Sequence, residues 1–128
     1  MAELKNILYV EDDPDIQTIA KLALETIGGF NVNVCSSGQE ALENAEKFRP
    51  QLLLLDVMMP IMDGHSTLAA LRKIPALIDV PAIFMTAKIQ THEINEYREQ
   101  GILEIINKPF DPILLAEQIS KIWKQQIR

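Results

Sequence analysis

The stretch Leu52-Leu53-Leu54-Leu55-Asp56 places four consecutive leucines before an aspartate. A continuously apolar run of this length is typical of a β-strand that is covered on both faces, as in the middle of a parallel sheet. Residues 30–34 instead alternate apolar and polar side chains, which suits a strand at the edge of a sheet. We therefore predict a central strand at residues 51–55 and an edge strand at residues 30–35.

Short apolar runs recur along the whole chain, and each is followed by a segment that reads as helix. The runs occupy residues 7–10, 30–35, 51–55, 81–85 and 102–106. Parallel strands need crossover connections, which helices usually supply. The alternation predicts five strands and five helices in an α/β fold. The edge and central strands fit a flavodoxin-like (βα)5 three-layer sandwich, with a five-stranded parallel sheet of order 2-1-3-4-5.

Capping residues indicate where the first helix begins and ends. Asp13-Pro14 supplies an N-cap residue followed by a proline at the first helical position, and Gly28-Gly29 follows the last turn. The residues between them have helical apolar spacing, which predicts one buried stripe. The stripe consists of Ile16, Ile19, Ala20, Ala23 and Ile27.

The second and last helices carry similar signals. Ser37 and Glu40 have the spacing of a capping box, and Asp111-Pro112 repeats the opening of the first helix. Near the chain's end, Trp123 either covers the edge of the core or marks a partner or dimer surface. The apolar side chains predicted to face the sheet are Ala41, Ala45 and Phe48 in the second helix and Leu115, Ile119 and Ile122 in the last.

Composition favours a single globular domain over residues 1–128, because 48% of the residues are apolar and 23% are charged. The net charge of −6 argues against nucleic-acid binding and against adhesion to an anionic membrane. One cysteine, Cys35, excludes an internal disulfide and a cysteine-rich zinc site. No apolar run approaches the ~18 residues of a membrane span, and the opening MAELKN lacks a secretory signal, so we expect a cytoplasmic protein.

Polar side chains follow four of the predicted strands at the edge where their carboxyl ends meet. In open parallel sheets, ligands bind at this edge where the strand order reverses, here between the first and third strands. Clustered carboxylates repel one another, so some must be protonated or a cation must join them, and an oxygen-only ligand set favours Mg²⁺. A carboxylate beside a metal, a lysine and a threonine hydroxyl indicates phosphoryl transfer to that carboxylate. The strand-end residues are Glu11, Asp12 and Asp13, then Asp56, then Thr86 and Ala87, and finally Asn107, Lys108 and Pro109.

Four motifs in this order resemble the receiver domain of bacterial two-component response regulators, of the single-domain chemotaxis type. The resemblance runs from Leu4 to the last helix and rests on all four motifs together. They are Tyr9-Val10-Glu11-Asp12-Asp13-Pro14, Leu54-Leu55-Asp56-Val57-Met58-Met59-Pro60 with Met62-Asp63-Gly64, Met85-Thr86-Ala87, and Lys108-Pro109-Phe110.

The resemblance implies a Mg²⁺-dependent phosphoacceptor. Asp56 would take a phosphoryl group from a histidine kinase or a histidine phosphotransfer protein. Asp12 would bind Mg²⁺ directly, Glu11 would act through water, and Met58 would contribute its backbone carbonyl. We interpret Asp13 as the N-cap of the first helix and not as a third metal ligand beside Glu11 and Asp12.

The remaining motif positions would support the phosphoryl group and report its presence. Thr86 would hydrogen-bond a phosphoryl oxygen, small Ala87 would leave the group accessible, and Lys108 would contribute its ammonium. Pro109 would follow a strained peptide bond that is often cis in the family. Ile105 stands where many receivers have an aromatic switch residue, so the switch would act through backbone and helix movement, and the predicted helix at residues 91–100 is our candidate for the bistable element.

We expect a signalling phosphoacceptor that catalyses only its own phosphorylation and dephosphorylation, and that switches its contacts with a downstream protein as a monomer or a phosphorylation-dependent dimer. Met58 and Lys88 would crowd the attacking water, which predicts slow loss of the phosphoryl group. Three alternatives stay open: the receiver part of a longer regulator with a DNA-binding or enzymatic output domain, an aspartyl phosphohydrolase, and a phosphorylation-independent interaction module.

Overall fold

The computed structural model describes residues 3–87 and 101–126, and these form one parallel sheet of five strands. Their order across the sheet is β2-β1-β3-β4-β5, which confirms the predicted topology with β3 in the centre and β2 at an edge. Every neighbouring pair is parallel. The strands are β1 (Asn6–Val10), β2 (Asn31–Cys35), β3 (Leu52–Asp56), β4 (Ala82–Thr86) and β5 (Ile102–Asn107).

Helices cover both faces of the sheet and complete the three-layer sandwich. Two predictions concern residues outside the described ranges: the helix at residues 91–100, and Lys88, which was predicted to crowd the attacking water. None of the helices that are described has the length and hydrophobicity needed to cross a bilayer. The helical segments are α1 (Pro14–Leu22) with a continuing π-helical turn (Ala23–Ile27), α2 (Gly38–Phe48), α3 (Gly64–Leu71), a 3₁₀ turn (Pro75–Leu77) and α4 (Pro112–Gln126).

The core consists of two apolar clusters, one on each side of the sheet. Successive side chains of a strand point to opposite faces, so Leu52 and Leu54 pack on the side of α1 and α4, whereas Leu53 and Leu55 pack on the side of α2 and α3. All four leucines are fully buried, as the apolar run predicted. Because apolar side chains cover both faces of β3, packing holds the backbone of Asp56, which ends this strand, in a fixed position.

The predicted stripe of the first helix is partly wrong. Ile19 and Ile27 are 47% and 56% exposed, whereas Ala20, Ala23 and Leu24 are buried. Ile19 lies about 100° around the helix from Ala20, at the flank of the buried face. Beyond Leu22 the chain widens into a π-helical turn, which rotates the residues that follow and places Ile27 toward solvent.

The predicted caps form, with one difference. The carboxylate of Asp13 accepts two N–H groups of the first turn of α1. Ser37 Oγ accepts the N–H of Glu40 at 3.1 Å, but Glu40 returns its bond to the N–H of Ser36, at 2.9 Å, and not to that of Ser37. Trp123 is buried against the core, so the core interpretation of this residue is confirmed.

The predicted inward faces of α2 and α4 pack against the sheet, although two of their members are only half-buried. The buried residues are Ala41, Ala45, Leu115 and Ile119, and the half-buried ones are Phe48 and Ile122.

Candidate functional site

Asp56 ends the central strand at the carboxyl edge of the sheet and is 2% exposed. Its two carboxylate oxygens have different surroundings. Oδ1 accepts the backbone N–H of Met58 at 3.2 Å, and Oδ2 lies 3.4 Å from the Lys108 ammonium. The carboxylate is therefore oriented by the loop that follows β3 and by the end of β5.

Glu11 follows β1 and is 1% exposed, whereas its neighbour Asp12 is exposed. Glu11 Oε1 accepts a hydrogen bond from Lys108 Nζ at 2.8 Å and one from the Tyr9 hydroxyl at 3.4 Å. Glu11 Oε2 accepts the N–H of Asp13 at 3.3 Å. Among the described residues, the buried carboxylate thus has these three donors, two of which share one oxygen.

Three of the predicted acids meet at one place. Each contributes one carboxylate oxygen, and these three oxygens lie within 4.8 Å of one another, a spacing that could hold a metal ion. The three acids are Glu11, Asp12 and Asp56. Asp13 stands apart from this group, because its carboxylate caps α1. The predicted role of Asp13 as the helix cap is confirmed, whereas metal binding by Glu11 and Asp12 stays a prediction.

Burial and crowding set the electrostatics of the cluster. Burial raises the pKa of Glu11, and nearby Asp56 raises it further, against the opposing effect of Lys108. Burial alone would lower the pKa of Lys108, but its hydrogen bond with Glu11 and the charges of Glu11 and Asp56 outweigh burial and raise it. The ammonium therefore stays charged, while the carboxylates carry a repulsion that a cation would relieve.

The other predicted site residues lie around Asp56 and Lys108. Thr86 ends β4 and is buried, and Ala87 after it is exposed. The backbone N–H of Lys108 donates to the Thr86 carbonyl at 2.9 Å, which joins the ends of β4 and β5. The peptide bond between Lys108 and Pro109 is cis, as the resemblance implied. Ile105 is half-buried and packs against the cluster on the side of α2 and α3.

Sequence reasoning missed two polar side chains that support Glu11. Gln17 Nε2 donates to the Glu11 carbonyl and, at 3.2 Å, to Ser36 Oγ, so it joins the loops after β1 and β2. The Tyr9 hydroxyl donates a hydrogen bond to the Glu11 carboxylate itself. The signal for Tyr9 was a hydroxyl within the apolar run of residues 7–10, two residues before Glu11, whereas nothing in the sequence distinguishes Gln17 from a solvent-exposed residue of α1.

Gly64 is a third residue with an unpredicted role at the site. A Cβ atom at this position would lie 2.6 Å from the Asp56 carbonyl oxygen and 2.8 Å from the Val57 Cα. Only glycine allows α3 to begin in contact with the backbone of the phosphoacceptor candidate. The Gly64 N–H also donates to the Val57 carbonyl at 3.0 Å, which fixes the return of the loop.

Comparisons with known proteins agree with this geometry. A family model described as response regulator receiver domain matches residues 7–120. The "Probable transcriptional regulator ycf29" of Porphyra purpurea is 36% identical over 120 residues, which cover 91% of this chain and 56% of that protein. The chemotaxis protein CheY4 of Vibrio cholerae matches with a TM-score of 0.85 and 26% identity, over 94% of this chain and 99% of that one.

The receiver domain of the sensor histidine kinase PA1611 of Pseudomonas aeruginosa PAO1, whose structure has a magnesium ion coordinated in the active-site cleft, matches with a TM-score of 0.78 and 29% identity. That match covers 94% of this chain and 98% of the other. The chain spans about half the length of several curated relatives, namely 56%, 54% and 45% of three of them. Fold, acidic cluster and family match agree, and the chain belongs to the receiver domain family of two-component response regulators.

Proposed function

We propose that this chain accepts a phosphoryl group on Asp56 from a histidine kinase or a histidine phosphotransfer protein, and that the modified form changes its contacts with a downstream protein. The observation that carries the proposal is the position of Asp56. Its buried carboxylate lies 3.4 Å from an ammonium and within 4.8 Å of two further acidic groups. Receiver domains are signalling phosphoacceptors that interact with histidine kinases and downstream effectors, which fits this arrangement.

The chemistry of the three acids fits Mg²⁺. Hard oxygen ligands without imidazole or thiolate are the set that Mg²⁺ prefers, and this ion keeps several waters while it binds one or two carboxylates. Asp12 and Asp56 would hold it directly, Glu11 would act through water, and the Met58 backbone carbonyl would complete the protein ligands. When bound, Mg²⁺ would neutralise negative charge on the transferred group.

In the transfer itself, a carboxylate oxygen of Asp56 attacks the phosphorus of a phosphohistidine. The P–N bond breaks as the P–O bond forms, and the histidine nitrogen keeps the electron pair and stays on the partner protein. Lys108 would neutralise oxygen charge on the phosphoryl group, and the Thr86 hydroxyl would donate a hydrogen bond to it. Ala87 would leave room for the donor side chain to approach.

The proposed readout uses backbone in place of an aromatic rotation, because Ile105 has no ring to turn. The hydrogen bond between Lys108 N and the Thr86 carbonyl supports this route, since movement at either strand end is passed to the other. We propose residues 91–100 as the responding element. Hydrogen exchange over residues 88–106, with and without a phosphoryl mimic, tests this; unchanged protection would contradict it.

The phosphoacceptor is tested by incubation with acetyl phosphate and Mg²⁺, followed by intact-mass measurement. We expect one phosphoryl adduct on the wild type and none on Asp56→Asn. Asp79→Asn is the matched control, because Asp79 is an exposed aspartate outside the acidic cluster; it should behave as the wild type. Chelation of Mg²⁺ should abolish the adduct. An equal adduct on Asp56→Asn, or none on the wild type, would overturn the proposal.

A second candidate is the receiver part of a longer regulator. The observation that favours it is the length of the curated relatives, of which this chain covers about half. The native reading frame around this sequence decides between the two. A single domain over residues 1–128, the absence of nucleic-acid binding, the oligomeric state and a cytoplasmic location all stay predictions.

Turnover as an aspartyl phosphohydrolase is disfavoured by Met58. Such enzymes usually carry a second acid two residues after the nucleophile, and here that position holds an apolar side chain that is 73% exposed. We therefore propose that the chain catalyses only its own phosphorylation and dephosphorylation, with slow loss of the phosphoryl group. Decay of the adduct within seconds at neutral pH would contradict slow loss.

A further inference from the structure

Tyr9 places a hydroxyl group deep in the sheet, directly beside the site. We propose that this hydroxyl is a positioning group that holds Glu11 in place when Lys108 turns from Glu11 toward a phosphoryl group on Asp56. The inference rests on the proposed function, because the shift of Lys108 is driven by phosphorylation. Tyr9 itself would touch neither the metal nor the phosphoryl group.

The first observation is that two donors share one carboxylate oxygen at unequal distances. Glu11 Oε1 lies 2.8 Å from Lys108 Nζ and 3.4 Å from the Tyr9 hydroxyl. Ammonium–carboxylate bonds are usually about 2.7–2.9 Å long and hydroxyl–oxygen bonds about 2.7 Å, so the Lys108 contact has an ordinary length and the Tyr9 contact is long. The charged donor thus makes the stronger of the two bonds to this oxygen, and the hydroxyl makes the weaker one.

The second observation is the position of Lys108 between two carboxylates. Its ammonium is 3.4 Å from Asp56 Oδ2, so a small movement takes it from Glu11 to a group carried by Asp56. A phosphoryl group brings roughly two negative charges at neutral pH, more than the carboxylate of Glu11 carries. We therefore expect Lys108 to leave Glu11 when Asp56 is phosphorylated.

The third observation is the burial of the group that is left behind. Glu11 is 1% exposed, so bulk solvent has little access to the carboxylate to replace the departed ammonium. A buried charge that loses its partner is costly unless other donors remain. Within the described part of the chain, the donors that remain are the N–H of Asp13 on Oε2, at 3.3 Å, and the Tyr9 hydroxyl on the vacated Oε1. Tyr9 can shorten its bond and keep Glu11 beside the metal site.

A purely structural role for Tyr9 would reside in its ring. The residue is 0% exposed and belongs to the apolar cluster that faces α1 and α4. Phenylalanine would fill this space equally well and lacks only the hydroxyl. Tyr9→Phe therefore separates packing from positioning, and the substitution leaves no large cavity.

The test measures two affinities by calorimetry, that of Mg²⁺ alone and that of beryllofluoride at saturating Mg²⁺. Beryllofluoride stands in for a phosphoryl group on a carboxylate. We expect Tyr9→Phe to weaken beryllofluoride binding about tenfold, which corresponds to one lost hydrogen bond to a charged group, and to change Mg²⁺ affinity by less than about twofold. A structural defect would lower both affinities together.

The control is Thr67→Val, which removes a buried hydroxyl that lies outside the acidic cluster and has no hydrogen-bond partner among the residues that the structure describes. It should leave both affinities unchanged. Equal beryllofluoride binding by the wild type and Tyr9→Phe overturns the inference alone, as does a parallel loss of both affinities. Absence of beryllofluoride binding by the wild type overturns the proposed function as well.

A second measurement covers the case in which Tyr9→Phe does not fold. The chain has two tyrosines, so Tyr97→Phe leaves Tyr9 as its single phenol. Ultraviolet resonance Raman markers of the tyrosine hydroxyl should show a stronger donated hydrogen bond after beryllofluoride is added to this variant. Identical spectra with and without beryllofluoride would contradict the proposal that Tyr9 strengthens its hydrogen bond to Glu11 when Lys108 leaves.

Discussion

The two edges of the parallel sheet share the same strands but hold different kinds of side chain. At the amino edge, Gln51 Oε1 accepts the N–H groups of Lys5 and Asn6 at 2.7 and 3.0 Å, and Gln51 Nε2 donates to a carbonyl of the N-terminal segment at 3.0 Å. Asn31 Nδ2 donates to Asn6 Oδ1 at 3.2 Å. Among the described residues, the carboxyl edge instead holds the cluster of Glu11, Asp12 and Asp56 together with the Lys108 ammonium.

The difference shows what each edge contributes. Neutral amides at the amino edge pair backbone groups without charge repulsion, so they stabilise the fold at little cost. At the carboxyl edge, burial and then the neighbouring Asp56 raise the pKa of Glu11, so keeping these acids charged is a cost in stability. A chain selected for stability alone would not keep that cluster, so the comparison separates the stabilising end of the sheet from the reactive end.

The largest expected effect is at Lys108, which offsets the repulsion at the carboxyl edge. Lys108→Met leaves the buried carboxylate of Glu11 without its ammonium. We expect the free energy of unfolding to fall by about 3 kcal/mol at neutral pH and phosphorylation by acetyl phosphate to slow about 100-fold. Denaturant unfolding followed by circular dichroism measures the first and intact mass the second.

Lys124→Met is the matched control, because Lys124 is an exposed lysine near the amino edge. Its unfolding free energy should change by less than about 0.5 kcal/mol. Equal stability of the Lys108 and Lys124 variants would break the contrast between the two edges.

Gln51→Ala tests the amino edge, where we expect an effect on stability but none on phosphorylation. The substitution removes an amide that makes three hydrogen bonds to the N-terminal segment. We expect a loss of about 2 kcal/mol in unfolding free energy, with the rate of phosphorylation of the folded protein unchanged. Slower phosphorylation in a chain that is still folded would show that the two edges are coupled.

A smaller effect should appear in the pH dependence of the metal-free chain. Because the folded-state pKa of Glu11 lies above its ordinary 4.5, the folded chain binds a proton that the unfolded chain releases in the window between the two values. This contribution to stability is present at low pH and is lost as pH rises through the folded pKa. Urea unfolding in EDTA should show this pH-dependent loss in the free energy of unfolding of the wild type, whereas Glu11→Gln should lack it. A constant difference between the two proteins across pH 4–7 would be the contrary result.

The smallest effect concerns Thr67, whose hydroxyl is buried without a hydrogen-bond partner in the part of the chain that the structure describes. It lies against Gly38, behind the carboxyl edge, where a Cβ on the glycine would be 2.3 Å from Thr67 Oγ1. Thr67→Val keeps the shape and removes the unpaired polar group, so we expect a gain of about 1 kcal/mol in unfolding free energy. A loss of stability would mean that the hydroxyl has a partner, such as a buried water.

The sheet and the acidic cluster could be predicted from the sequence because both follow from strand ends. A strand buried on both faces admits only apolar residues, so the run that ends at Asp56 predicted β3 and its central position. The carboxyl ends of parallel strands meet at one edge, so the order of the strands alone was enough to place Glu11 and Asp12 beside Asp56.

The contacts around the cluster could not be predicted in the same way, because they depend on the separation of distant segments. The bond from Gln17 to the carbonyl of Glu11 requires the close approach of α1 to the end of β1. Likewise, periodicity assumed a regular first helix, and the π-helical turn after Leu22 moved Ile27 out of the buried stripe. Apolar spacing does not report a local change in helical pitch.

Trp123 is the single tryptophan of the chain, and it packs beside Phe30 at the amino end of the sheet. The reactive acids lie at the other end of β1, about 15 Å away for a strand of five residues. Its indole emission will therefore follow loss of the packed core and respond little to events at Asp56. A fluorescent reporter of signalling in this protein has to be introduced near the opposite rim, while the natural fluorophore serves as an internal gauge of foldedness.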